Sequence, residues 1–444
     1  MSGCSERGAG AAGRTPKGGV YRQRKPRASP LYQCADRHLA ELRSEGRLQQ
    51  LLEERVIERF LKCGDPHYGF ARVYCPECRH DYLLAFSCKA RYFCPSCHQK
   101  RVLAYGDWVE ENVLAPVPHR QYVFTVPRML RPIFSRKRGL LAELCHIVER
   151  LLIRAYTGAG VGGRPGLILF VQTFGDLLTF NPHIHVLAAN GVFRADGAFV
   201  VLPAIPVKLL ERGCRIAVLK LLVAEGAIGE RLSASMLAWR HSSFSVHNGV
   251  HVPAGDIEGR KKLAQYMLRA PLSLEKMTYL PDAGMVMYRS RLHKGLKRNF
   301  QLMTGAQWLE LLCRHIPDRF EHWVRYVGWY STRVRGERAR KAVPGAAVQA
   351  PQDGQVIAAC ARSAWARLIH KVYEVDPLEC PKCGAPMQVI ALIDDAEVIR
   401  RILEHLGRWA PREAQRNQRA PPRDGKGLKS PARELTYHPV PDIA

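Results

Sequence analysis

Phe180-Asn-Pro-His183-Ile-His185-Val-Leu187 reads as a strand, and most of the chain's organisation can be placed outward from it. Side chains alternate faces along a strand, so His183 and His185 project from the same side, which is what two imidazoles need to share one divalent cation. The apolar run 167–174 is a second strand candidate beside 183–189, and Asn190-Gly191 marks a tight hairpin into Val192-Phe193. Tyr122-Val-Phe-Thr-Val126 alternates as a further strand, and 245–252 looks like another. Helical spacing covers roughly 138–156 and a short stretch at 259–269 that Pro271 ends. Strands separated by helices over this span make the expected fold class α+β.

A histidine pair alone is a weak motif, since surface or core histidines produce it often. A second element strengthens it. In Lys261-Lys-Leu-Ala-Gln-Tyr266-Met-Leu-Arg269, Leu263 and Met267 form an apolar stripe near Tyr266, which suits a core aromatic. Lys262 and Arg269 lie four before and three after Tyr266, on its side of the helix. Cations there would hold a phosphate and favour the phenolate.

Cys75-Pro-Glu-Cys78 is followed fifteen residues later by Cys94-Pro-Ser-Cys97. Two C-x2-C knuckles at this spacing match a zinc ribbon, with Cys75, Cys78, Cys94 and Cys97 as the expected four thiolates around structural Zn2+. Cys63, Cys88, His67, His80 and His98 are nearby and could replace one of them. Arg72, Tyr74, Arg79, Lys89, Arg91, Tyr92, Phe93, Lys100 and Arg101 interleave with the cysteines, as a nucleic-acid contact or a solvated basic face would. Cys380-Pro-Lys-Cys383 has the knuckle form without a second pair downstream, and Cys360, His370 and His405 are candidate partners.

The whole chain has 444 residues with 67 Lys+Arg against 40 Asp+Glu, a net charge of +27, and it is 47% hydrophobic. So many apolar residues argue for folded domains, and so large an excess of cations argues for a polyanionic partner, nucleic acid first. No apolar run is long enough to span a membrane, and the N-terminus lacks a signal core. Its 14 cysteines fit a reducing compartment, where clusters read as metal ligands. A cytoplasmic, DNA-associated protein is expected. Ala40 to Leu61 follows helical period, and 100–114 looks helical again. Between His315 and Gly336, Arg319, Trp323, Arg325, Tyr326, Trp329, Tyr330, Arg333 and Arg335 combine aromatics and guanidinium groups, a pairing suited to unpaired bases or to a buried aromatic helix.

His183-Ile-His185, the helix-borne Tyr266 and the upstream cysteine block resemble the HUH-class single-strand transposases of rolling-circle insertion sequences, closest to the common-region group with an N-terminal zinc-binding domain. Ala85-Phe-Ser-Cys88, Gln172-Thr-Phe-Gly175, Trp239-Arg-His-Ser-Ser-Phe244, His315-Ile-Pro317 and Cys380-Pro-Lys-Cys-Gly384 extend the resemblance over most of the chain. It implies an N-terminal zinc-ribbon-like domain, a central endonuclease domain with an antiparallel sheet flanked by helices, and a small C-terminal segment. The expected boundaries are a basic arm at 1–33, a zinc-binding DNA-contact domain at 34–115, a catalytic domain at 116–336, a linker at 337–355, a C-terminal domain at 356–410 and a tail at 411–444.

The resemblance further implies that Tyr266 attacks a DNA phosphate to give a 5′-phosphotyrosine link. His183 and His185 would ligate Mg2+ or Mn2+, with Gln172 as third ligand, and Lys262, Arg269, Arg325, Arg333 and Arg335 would contact DNA. Tyr279, Tyr288 and Tyr326 are the next candidate nucleophiles. Single-stranded DNA at element ends and target DNA are the expected partners, and a homodimer is compatible. Many relatives carry two tyrosines four apart on this helix, whereas here Lys262 occupies the earlier position, so the chain resembles the single-tyrosine branch. A replication initiator or relaxase would use the same chemistry. A zinc-ribbon DNA-binding regulator without catalysis would keep the cysteines and use His183, His185 and Tyr266 only for packing.

Overall fold

The computed structural model describes residues 26–48, 51–241, 243–293, 298–342 and 378–409. Most of the expected basic arm, most of the linker, Cys360, His370 and the 411–444 tail lie outside the described residues. At the N-terminus, Pro30–Ser44 (α1) and Leu51–Leu61 (α2) are separate helices, where the periodicity alone predicted one continuous stretch. The break falls at Gly46, whose φ of +62° is in the left-handed region that ends a helix. Two short strands follow, Phe70–Tyr74 (β1) and Asp81–Ala85 (β2), and then the long helix Pro95–Asn112 (α3).

The central part begins with His119–Thr125 (β3), continues through helices Arg131–Arg136 (α4) and Gly139–Thr157 (α5), and reaches the paired strands Arg164–Phe174 (β4) and Phe180–Phe193 (β5). Phe199–Val201 (β6), helices Val207–Ala224 (α6) and Glu230–Ala238 (α7), and the short strands Ser245–His247 (β7) and His251–Val252 (β8) come next. Ile257–Met267 (α8) carries Tyr266. Strands Met277–Leu280 (β9), Met285–His293 (β10) and Arg298–Thr304 (β11), then helix Gly305–Cys313 (α9), lead to Val324–Gly328 (β12) and Thr332–Ala342 (α10). Gln388–Ile393 (β13) and Ala396–His405 (α11) close the described chain.

The fold is α+β. Its main sheet runs β12-β4-β5-β3-β7, with β6 beside β5 and β8 beside β3, and every pairing is antiparallel. β4 and β5 are buried on both faces because helices cover both. Leu167, Leu169, Val171, Ile184 and Val186 pack against α5 and α6, while Ile168, Phe170, Leu187 and Ala189 pack against α3 and α8. A three-layer core of this kind explains the near-continuous apolar runs in these strands. No described helix is long and apolar enough to cross a membrane.

Three expectations need correction. β5 runs through Asn190-Gly191 without turning, because Gly191 pairs closely with β6: a Cβ there would lie 2.0 Å from the Val200 carbonyl oxygen. The turn comes later, where the Asp196 side chain accepts a hydrogen bond from the Ala198 amide. The start of the expected linker is helical, since α10 extends to Ala342. The C-terminal segment is not a domain apart: β13 adds a third strand to the β1–β2 hairpin, pairing Phe70 with Ile393, and α11 buries Ile399 and Leu403 against Phe70 and Leu83.

Candidate active site and cysteine clusters

The side-chain period of two puts His183 and His185 on the α8 face of the main sheet. Directly across from them stand Thr125 and Val123 of β3 and Gln172 and Phe170 of β4. Both imidazoles are buried, with ring centroids 4.8 Å apart. Burial, with the nearby Arg269 cation adding to it, holds His183 down to about 4 and His185 to about 3, so both rings are neutral near pH 7. His183 Nδ1 donates to the Asn181 carbonyl at 2.7 Å, which leaves the Nε2 lone pair available. His185 Nδ1 lies 2.8 Å from Gln121 Nε2; turning the carboxamide over, so that its oxygen accepts from Nδ1–H, leaves the His185 Nε2 lone pair for a cation. His185 Nε2 and Gln172 Oε1 are both buried without a hydrogen-bond partner. The unpartnered His185 Nε2 and Gln172 Oε1, together with the free Nε2 of His183, make a donor set that fits a divalent cation.

Tyr266 stands beside this pair. Its ring meets that of His185 edge to face at 5.8 Å, and it is 44% exposed. The three residues, with Lys262 and Gln121, line an open cleft of about 810 Å³. Arg269 lies over the Tyr266 ring at 4.5 Å and over Phe174 at 5.4 Å, so its charge meets the face of the phenol. Of the other tyrosines considered, Tyr279 and Tyr288 are buried in a separate core, and Tyr326 is hydrogen-bonded to Tyr105 at 3.2 Å.

The position of α8 is set from three sides. At its start Asp256 caps Gly259 N at 2.8 Å. Its end is tied to the sheet by Gln172 Nε2, which donates to the Met267 carbonyl at 2.7 Å, and to α3 by His98, which donates to the Leu268 carbonyl at 2.7 Å. Along its length the buried Arg260 guanidinium holds Glu110 of α3, with Nε–Oε2 at 2.9 Å. Sequence reasoning passed over Gln121, Asn181, Arg260 and Glu110, whose roles depend on cross-strand and interhelical register. The sequence offers His98 only as an alternative zinc ligand, whereas its ring in fact ties α3 to the end of α8.

Arg325 is not brought to the cleft. Val324 opposes Phe170 on the histidine face, so Arg325 points to the other face, where Nη1 lies 2.6 Å from His146 Nε2. Arg335 lies over Trp108 and Tyr326 and donates to the Tyr330 carbonyl at 3.2 Å, and Arg333 pairs with Glu337 at 3.0 Å. Trp323 and Tyr330 are core residues.

The predicted cysteine quartet divides. Cys94 and Cys97, at the start of α3, gather with Cys63 and Cys88: Cys97 Sγ is 3.7 Å from Cys63 Sγ and 3.6 Å from Cys88 Sγ. Cys75 and Cys78 gather instead with Cys380 and Cys383. The reason is topological, because β13 brings the C-terminal knuckle to the end of the β1–β2 hairpin, next to the first one.

The family model described as "Transposase zinc-binding domain" matches residues 34–126, and that described as "Putative transposase" matches residues 166–338. The transposase for insertion sequence element IS801 of Pseudomonas savastanoi pv. phaseolicola is 26% identical over 380 residues, covering 81% of this chain and 88% of that protein. The "Putative transposase y4qJ" of Sinorhizobium fredii is 24% identical over 328 residues, 68% of this chain and 81% of that one. No solved structure matches. With both domain models matched in order around the cysteine clusters and the histidine face, the chain belongs to the insertion-sequence transposase family that joins a transposase zinc-binding domain to a transposase domain.

Proposed function

We propose that this transposase cuts and rejoins single-stranded DNA at insertion-sequence ends through a covalent 5′-phosphotyrosine intermediate, with Tyr266 as nucleophile. The observation that carries the reading is the exposed Tyr266 ring set against the neutral His183–His185 pair in one cleft. Tyr266 oxygen bonds to phosphorus as the 3′-oxygen leaves, and the leaving oxygen takes up a proton as the phenol gives one up. One phosphate ester replaces another, so rejoining needs no nucleotide hydrolysis. Lys262, one helical turn before Tyr266 on the cleft wall, offers a cation to the strand's phosphates. His183 Nε2, His185 Nε2 and Gln172 Oε1 are the atoms that would hold Mg2+ or Mn2+. Such an ion would offset the negative charge that develops on the scissile phosphate.

Cys63, Cys88, Cys94 and Cys97 lie within the matched zinc-binding domain, and we assign structural Zn2+ to them. This cluster sits at the start of α3, which in turn holds the Tyr266 helix through His98 and Glu110. A protein–DNA adduct that survives denaturation, formed on a single-stranded end oligonucleotide, tests the proposal. A packing-only regulator forms none.

A further inference from the structure

We propose that Cys75, Cys78, Cys380 and Cys383 form a second Zn2+ site that clasps the C-terminal segment onto the N-terminal sheet. Half of its ligands lie far beyond the matched zinc-binding domain, which ends at residue 126.

The two halves have the same local structure. In Cys75-Pro-Glu-Cys78-Arg79 the Cys75 amide donates to the His80 carbonyl at 2.8 Å, and Arg79 has φ of 56°. In Cys380-Pro-Lys-Cys383-Gly384 the Cys380 amide donates to the Ala385 carbonyl at 2.9 Å, and Gly384 has φ of 73°. A left-handed residue after the second cysteine turns each loop so that both of its sulfurs face inward. It comes at no steric cost for Gly384 and at some cost for Arg79.

The sulfurs interleave between the loops. Cys75 Sγ is 3.5 Å from Cys383 Sγ and Cys78 Sγ is 3.4 Å from Cys380 Sγ, and all four ligand atoms lie within 4.8 Å of one another. Tetrahedral Zn2+ with Zn–S bonds of about 2.3 Å sets its sulfurs about 3.8 Å apart, close to this spacing. All four are free thiols, and an all-sulfur tetrahedral set selects zinc over the hard cations.

The surroundings explain why a metal is needed there. The fully buried apolar groups between the two segments are small: Val73, Cys75, Cys380 and Met387 in one, Phe70, Leu83, Ile399 and Leu403 in the other, each with only partly buried side chains around it. Cores of that size rarely hold a module without a staple. The paired sulfurs are 308 and 302 residues apart in sequence, so the ion would join the two ends of the zinc module around the intervening transposase domain. Cys78 and Cys383 are exposed, unlike any sulfur pair of the first cluster, so this ion is the one open to chelators and thiol reagents.

The test is zinc content by mass spectrometry on the full chain purified under reducing conditions. The proposal expects two Zn2+ per chain. It expects one in Cys380→Ser/Cys383→Ser, with the C-terminal segment becoming cleavable by protease while the rest stays protected. Cobalt replacement gives a second reading, two equivalents showing thiolate-to-metal charge-transfer bands in the wild type. One zinc and one cobalt equivalent in the wild type would overturn the site, whether or not the variant folds. So would a double variant that keeps two.

Discussion

Glu110→Ala should loosen the helix that carries Tyr266, and the size of the effect follows from the burial of its partner. Arg260 is 2% exposed, and its guanidinium contacts both Glu110 oxygens through Nε at 2.9 and 3.2 Å and Oε1 through Nη2 at 2.5 Å. Its other nitrogen is held by the carbonyls of Ala254 and Pro253. Removing the carboxylate leaves the cation buried with backbone oxygens alone, which costs about 3–5 kcal/mol in comparable pairs. Against a domain stability of about 5–15 kcal/mol this is large. At about 1.4 kcal/mol per factor of ten it corresponds to roughly a hundredfold or greater increase in the opening of α8. Hydrogen exchange of peptides from 257–268 reads that opening locally, without assuming that the whole chain unfolds in one step. Replacing both partners by apolar groups, Arg260→Met with Glu110→Leu, should recover most of the loss, because the penalty comes from the orphaned charge. A change of less than tenfold in Glu110→Ala, or a double variant as open as the single, would refute this reasoning.

His183→Ala with His185→Ala should abolish metal-dependent nicking of a single-stranded end oligonucleotide while leaving binding in place, and nicking that resists both these changes and EDTA would refute the metal assignment. Burial holds His98 at about 4, His119 at about 3 and His315 at about 4, all below their unfolded range near 6.5. The unfolded chain therefore binds more protons below that value. Stability is full above about pH 6.5 and falls as the pH drops through 4, by about 1.4 kcal/mol per histidine per unit; thermal unfolding at pH 7.5, 6 and 5 checks the direction, and His119→Asn should make the slope shallower. Gly191→Val should cost several kcal/mol and separate β6 from β5, since even a Cβ meets the Val200 carbonyl at 2.0 Å; an unchanged unfolding midpoint would contradict the described register.

Local periodicity carried much of the site. The period of two placed His183 and His185 on one face, and the helical period put Lys262 and Tyr266 on one wall, because both are properties of a few consecutive residues. Partners brought together by topology were not legible. Cys75 and Cys78 read naturally with the next knuckle along the chain, and nothing local to them points to Cys380 and Cys383 some three hundred residues on. Arg325 and Tyr330 illustrate a second limit. Their composition suits a nucleic-acid surface, but strand alternation sends Arg325 to the far face, and Tyr330 fills the core with its hydroxyl 2.8 Å from His119 Nε2. Asn190-Gly191 misled for a third reason: the dipeptide is favoured in turns, but glycine equally serves where two backbones approach closely, and β6 makes that approach.

Whether Tyr266 becomes covalently joined to DNA is read by comparing two proteins. The full chain and Tyr266→Phe are incubated with a single-stranded oligonucleotide spanning an element end in the presence of Mg2+ or Mn2+. The products are then denatured, digested and mapped by mass spectrometry. The expected product is a denaturation-resistant adduct whose 5′-phosphate is attached to the peptide containing Tyr266, with no adduct in Tyr266→Phe although that variant still binds the strand. An adduct that persists in Tyr266→Phe, or one mapped to another residue, would contradict it.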